Sequence, residues 1–227
     1  MKRVNTPELL DTDDCPPEEV IASLRDMARI NRWFGGVATT VELVRRVARA
    51  TGVTRFSLLE VAAGLGELPE IAAQKLARDG ITVDVTLLDR AASHLPANRR
   101  AIAADALSLP FSDGAFDLIS CNLFAHHLEP DQLLLFVKEA LRVSHRAVLI
   151  NDLVRHPMHV VMVYAGFPLM RSHVSRLDGL ASVRRSYIPE EIPRILALLT
   201  TPVSETKIEV FRRALFRMGI IVWKATG

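Results

Sequence analysis

The chain has 227 residues, of which 49% are hydrophobic and 24% charged, with a formal net charge of +2. That composition excludes a disordered chain and supplies no basic footprint for nucleic acid, while the length suits one sizeable domain with small additions. Two distant cysteines, Cys15 and Cys121, have no metal-ligand spacing and point to a reducing, cytoplasmic setting, with Cys121 a small core residue.

Residues 1–19 are polar, carry Pro16 and Pro17, and read as a loosely held arm. They turn acidic too early for a secretory leader. From about Pro17 to Ala50 apolar residues recur at threes and fours, the period of amphipathic helices, and Gly35-Gly36 divides the stretch in two. Then the rhythm changes. FSLLEV (56–61) reads as a buried strand, LPEIAAQKLARDG (68–80) as a helix stopped at Gly80, TVDVTLLD (82–89) as a strand and RAIAAD (100–105) as a short one. AFDLISCN (115–122) reads as another buried strand, PDQLLLFVKEALRVS (130–144) as an amphipathic helix and RAVLIND (146–152) as a fifth strand. MHVVMVYAGFPLM (158–170) falls short of the roughly 18 residues of a membrane span. It is expected to be a buried helix or the wall of an apolar pocket, with a dimer face as the alternative. A helix over 189–200 and two closing strands, TKIEVFRR and FRMGIIVWKA, complete the chain.

Strands alternating with helices imply an α/β fold: an open, doubly wound, mostly parallel sheet of seven strands with an antiparallel hairpin at its edge. Residues 1–52 are expected to form the arm and a helical cap, and 53–227 the core, with an insert at about 153–188. In such sheets ligands bind beyond the carboxyl ends of the strands, where strand order reverses.

The strand ends are therefore the candidate site. The first strand runs into Glu60-Val-Ala62-Ala-Gly64-Leu-Gly66, a small-residue turn of the kind that lets backbone approach a nucleotide. The second ends in Asp89, at the spacing of ~20 residues from which an acid accepts the hydroxyls of a ribose. Arg90 stands beside it. The third is followed by Asp105-Ala106, where a carboxylate would receive an adenine amine. The fourth ends in Asn122, facing the far end of the same ligand.

Three acids at successive strand ends around one small-residue turn resemble class I S-adenosylmethionine-dependent methyltransferases. The resemblance covers 57–152. Glu60, Ala62, Gly64 and Gly66 fill the family's first motif, with alanine in place of its first glycine. Asp89 fills the ribose acid, and Asp105-Ala106 with Leu109-Pro110-Phe111 the third motif. GAFDLISCNLFAHHL and LLLFVKEALRVSHRAVLINDL resemble the later strands, with SHR in place of the usual PGG turn. The ends are similar to small-molecule methyltransferases near the ubiquinone/menaquinone-biosynthesis type.

The resemblance implies S-adenosylmethionine as cofactor and S-adenosylhomocysteine as product. The implied acceptor is a small, rather apolar molecule, O-methylated on a hydroxylated aromatic or polyketide. His126 and His127 follow the fourth strand, where the acceptor meets the donor, and are the candidates to orient or deprotonate its hydroxyl. Arg155, His156, His159, Tyr164, Phe167, His173, Asp178, Arg184 and Arg185 are candidates to shape the acceptor pocket, and Trp33 with Phe34 to form a lid. The histidines lack metal-ligand spacing, so no metal is expected. A non-catalytic cofactor-binding subunit and a nicotinamide oxidoreductase remain as alternatives.

Overall fold

The computed structural model describes residues 1–11, 15–199 and 207–224. Its strands and its first four α-helices follow the sequence period. Helix α1 (Pro17–Trp33) begins with proline at its first position, where no backbone N–H is needed, and α2 (Gly36–Thr51) starts after Gly35 in the left-handed region. Strand β1 (Arg55–Val61) leads through the small-residue turn to α3 (Glu67–Ala77). Then come β2 (Thr82–Asp89), β3 (Ala101–Ala103) and β4 (Phe116–Asn122), followed by α4 (Pro130–Val143) and β5 (Ser144–Leu153). Glu129 and Gln132 form a reciprocal capping box at the start of α4. The insert carries α5 (Pro157–Gly166) and α6 (His173–Arg185), and α7 (Glu191–Leu196) precedes the hairpin of β6 (Ile208–Arg213) and β7 (Arg217–Trp223). The first residue expected in that hairpin, Thr206, and its last, Ala225, lie outside the described residues, as does Thr200 of the expected last helix.

The seven strands are ordered β3-β2-β1-β4-β5-β7-β6. β1 pairs in parallel with both β2 and β4, and β4 in parallel with β5, whereas β7 runs antiparallel to both its neighbours. Chain order reverses between β1 and β4, so the crevice of this sheet lies at their carboxyl ends.

Strand alternation sorts the core into two halves. Phe56, Leu58, Leu118, Ala147, Leu149 and Ile221 pack under α2 and α3. Leu59, Val61, Ile119, Cys121, Val148, Ile150 and Ile220 face α4 and α7. Cys121 is fully buried, as a core residue should be. The same alternation sends Asn151 and Asp152, adjacent in sequence, to opposite faces of the sheet.

Two expectations are corrected here. The arm is not loosely held. Arg155 Nε donates to Met1 O at 2.9 Å, Val4 N to Arg184 O at 3.1 Å, and Leu9 N to the Asp178 carboxylate at 2.7 Å. Arg3 donates to Glu129 and to the carbonyl of Leu128. Nor is α5 a buried helix. Met158, Val161 and Tyr164 are each more than half exposed, and His159 is its one buried residue. Its apolar residues lie all round the helix, so no single face is reserved for the core.

Candidate active site

The turn after β1 is built by backbone geometry. Ala62, Gly64 and Gly66 all have positive φ, +55°, +51° and +67°. Gly66 is required twice over, because a Cβ there would also stand 2.3 Å from Leu87 Cδ1. Ala62, where the family pattern has its first glycine, accepts the left-handed conformation at a cost of about 1 kcal/mol. The substitution leaves the turn's shape in place.

Asp89 closes the turn from β2. Its Oδ2 accepts Gly64 N at 2.9 Å and its Oδ1 accepts Ala91 N at 3.0 Å, with His94 Nδ1 at 3.6 Å. Burial raises its pKa, but the bonds from His94, Gly64 and Ala91 outweigh that and hold the carboxyl below its ordinary value. Asp89 is thus an anion fixed against the turn. Arg90 is exposed and does not pair with it.

Glu60 lies at the end of β1, 1% exposed. Its Oε1 accepts Asn122 Nδ2 at 2.7 Å across the switch point, while Oε2 is buried with no hydrogen-bond partner. Burial pushes its pKa up to about 7 against the pull of bonds from Asn122 and Ser120. The Asn122 side chain is used inside the protein. Its Oδ1 accepts from Thr40 Oγ1 at 2.8 Å and from Asn151 Nδ2 at 2.6 Å, so main chain, rather than this amide, is what Asn122 offers a ligand.

The network continues past Asn122. Asn151 Nδ2 also donates to Gly36 O, and Arg217, buried on β7, donates to Asn151 Oδ1, Asn31 Oδ1 and Phe34 O. One polar chain therefore joins the donor-turn acid to the junction of the cap helices. Nothing in the spacing of Arg217 or Asn31 announced it. Trp33, expected in a lid, is 57% exposed.

Asp105 is exposed and caps its own turn, its Oδ1 accepting Leu107 N at 2.8 Å; Ala106 beside it packs against the core. These two and the Glu60–Asp89 group lie along the same carboxyl edge of β1, β2 and β3.

His126 and His127 occupy a 3-10 turn after β4. His126 is 2% exposed. Its Nδ1 lies 2.7 Å from Asp152 Oδ1, its backbone N–H donates to Asp152 Oδ2, and its Nε2 lies 3.4 Å from Glu8 Oε1. Burial opposes its positive charge, but Asp152 and Glu8 together push its pKa up to about 10. Both ring nitrogens of His126 are thus turned to carboxylates. His127 is part-exposed, with Nε2 3.7 Å from Glu8 Oε2. Arg155 is spent on Met1 O, Ser186 O and Glu191, and Asp178 on the arm. His159 is held by Val154 O and stacks on Phe216. His126, His127 and Glu8 also form the one group of three metal-type ligands among the described residues.

The residues present fit S-adenosylmethionine. A positive-φ cradle, an anionic Asp89 beside it and an orphaned buried Glu60 oxygen meet at the switch point. The family described as "Methyltransferase domain" matches residues 59–148. Among solved structures, the plantazolicin methyltransferase BpumL, bound to SAH and a monoazolic desmethylPZN analog, is similar with TM-score 0.65 at 12% identity, over 91% of this chain and 96% of that one. The related BamL complex gives 0.61 at 11% identity, over 91% and 97%. A SAM dependent methyltransferase from Aquifex aeolicus gives 0.56 at 13%, over 92% and 99%. No curated protein matches the chain in sequence. The fold is that of class I S-adenosylmethionine-dependent methyltransferases, and the methyltransferase-domain family matches this chain over 59–148. Among the described residues no helix is long and apolar enough to cross a membrane.

Proposed function

We propose that the chain O-methylates a small, rather apolar molecule, a hydroxylated aromatic or polyketide, at the carboxyl edge of β1, β4 and β5. The observation that carries this reading is the positive-φ turn at 62–66 bonded by Gly64 N to Asp89, with Glu60 near the end of β1 bonded to Asn122 across the switch point. S-adenosylmethionine supplies a methyl group on a cationic sulfur. The chain supplies position. Gly64 and Gly66 let backbone approach the donor, Asp89 accepts its ribose hydroxyls, and Asp105 and Ala106 border the adenine. Orientation of two reactants can supply most of the acceleration in such a displacement.

The position of the histidine pair just after β4 supports a role beside the acceptor oxygen. His127, part-exposed, orients it, and the imidazolium of His126 favours its ionised form. The likeness to plantazolicin methyltransferases supports a natural-product acceptor. The exposed apolar residues Met158, Val161 and Tyr164 of α5 support a homodimer.

Calorimetric titration with S-adenosylmethionine and S-adenosylhomocysteine, beside Asp89→Ala, tests the donor site. Micromolar binding is expected, weakened at least about tenfold in the variant, the worth of one hydrogen bond to a charged group. Folded wild-type chain that binds neither, or that binds NAD instead, would overturn the reading.

A further inference from the structure

Donor binding leaves one buried cluster without a task. Four side chains from two core elements converge on a carboxylate that belongs to neither. His126 Nε2 is 3.4 Å and Arg185 Nη1 3.9 Å from Glu8 Oε1, Ser182 Oγ donates to the same oxygen at 2.8 Å, and His127 Nε2 is 3.7 Å from Oε2. Glu8, His126 and Arg185 are all nearly inaccessible to solvent. The core's own acid, Asp152, matches only the Nδ1 side of His126. Its Nε2 faces the arm and has no well-aligned hydrogen bond.

Buried cationic donors are strongly unfavourable without an anion. The core is therefore built to hold a negatively charged oxygen at this point, and the arm brings one. Among the described residues ahead of α1 the arm's regular structure is a 3-10 turn at Leu9–Asp11, so its hold depends on replaceable contacts with Arg155, α6 and the turn after β4. The position is also telling. Asp152 is the next-to-last residue of β5 and the histidines follow β4, whose last residue bonds Glu60 near the end of β1. The cluster lies on the same carboxyl edge as the donor site.

We propose that His126, His127, Ser182 and Arg185 form an anion subsite for the acceptor, and that Glu8 fills it as a built-in stand-in. The acidic oxygen of the acceptor, an ionised phenol or enol or a carboxylate, takes the place of Glu8 when the arm withdraws. This rests on the acceptor reading above and narrows it to acidic acceptors. The arm becomes a gate that a neutral molecule does not displace.

The test uses the full chain and benzoate as the anionic probe, with benzyl alcohol as the neutral control. Histidine side-chain NMR reads the subsite directly. In Glu8→Ala and Glu8→Gln, benzoate is expected to shift the His126 and His127 imidazole signals and to bind at least tenfold tighter than to wild type, while benzyl alcohol does neither. Unchanged benzoate affinity in the folded variants would overturn the proposal. Should the variants not fold, Val4→Cys with Arg184→Cys in a Cys15→Ser background locks the arm by a disulfide between hydrogen-bonded neighbours. The oxidised chain should lose benzoate binding and regain it on reduction; equal binding in both forms would overturn the proposal. S-adenosylhomocysteine titration in parallel separates the two readings, because a failed donor site abolishes that binding and a failed subsite leaves it intact.

Discussion

Ala62 holds φ at +55°, which costs an alanine about 1 kcal/mol that a glycine would not lose, offset in part by the greater freedom of glycine in the unfolded chain. Ala62→Gly is therefore expected to raise stability by about 0.5 kcal/mol in urea denaturation and to keep donor affinity. A clear loss of stability would contradict the strain. Glu60 shows the opposite economy. Its folded pKa, about 7, lies above the ordinary 4.5, so the native state holds a proton that the unfolded state releases between those values. Stability attributable to Glu60 therefore falls as pH rises from 4.5 to 7 and is level beyond. Glu60→Gln should remove that slope and stabilise the chain above pH 7 by up to about 3 kcal/mol, since one pKa unit is 1.36 kcal/mol. Denaturant midpoints across pH 4.5–8 check it. The acid and the small turn residues were legible in the sequence. The orphaned Oε2 of Glu60 depends on where Asn122 points.

At the scale of elements, the junction of β1, α3 and β2 turns on Gly66. Its missing Cβ leaves room for Leu87, and its φ of +67° starts α3. Gly66→Ala should cost about 2 kcal/mol or more and weaken S-adenosylhomocysteine binding, read by thermal unfolding and calorimetry. Full stability in that variant would mean that Leu87 moves aside freely. Helices were unequally readable. α4 shows its apolar stripe plainly. α6 does not, because its inward residues include Ser175, Asp178 and Arg185, whose partners lie on α1, on the arm and on the turn after β4 respectively. Hydrophobic period reports burial only where burial is apolar. α5 fails the other way: it is apolar and largely exposed.

For the whole molecule, the joint between arm and core is an electrostatic one. His126 carries a folded pKa of about 10 against an ordinary 6.5, burial being outweighed by Asp152 and Glu8. A raised histidine pKa adds stability that is fully present below pH 6.5 and is lost as pH rises through about 10. Glu8 and Asp152 are held below their ordinary values, burial again being outweighed, in both cases with His126 among the partners; their contribution is present above those values and lost in acid. Proteolysis of the arm should therefore be slowest near neutrality and quicken towards pH 10. His126→Gln should flatten the alkaline limb, and an unchanged pH profile in that variant would sink the assignment.

Local properties were decided by the sequence itself. Period two for strands, period 3.6 for helices and turn chemistry at Gly35, Gly64, Gly66 and Gly80 are written within a few residues of one another. They were enough for the doubly wound sheet, its closing hairpin and the acids at its strand ends. Tertiary structure alone decided the rest. Strand order brings Asp152 of β5 beneath His126, and the path of the arm lays Glu8 across both histidines. Arg217, near the end of the chain, comes within reach of Asn31 near its start. Such groups find their partners only after the sheet has set which distant segments meet, and that is where His126 acquires its two carboxylate neighbours.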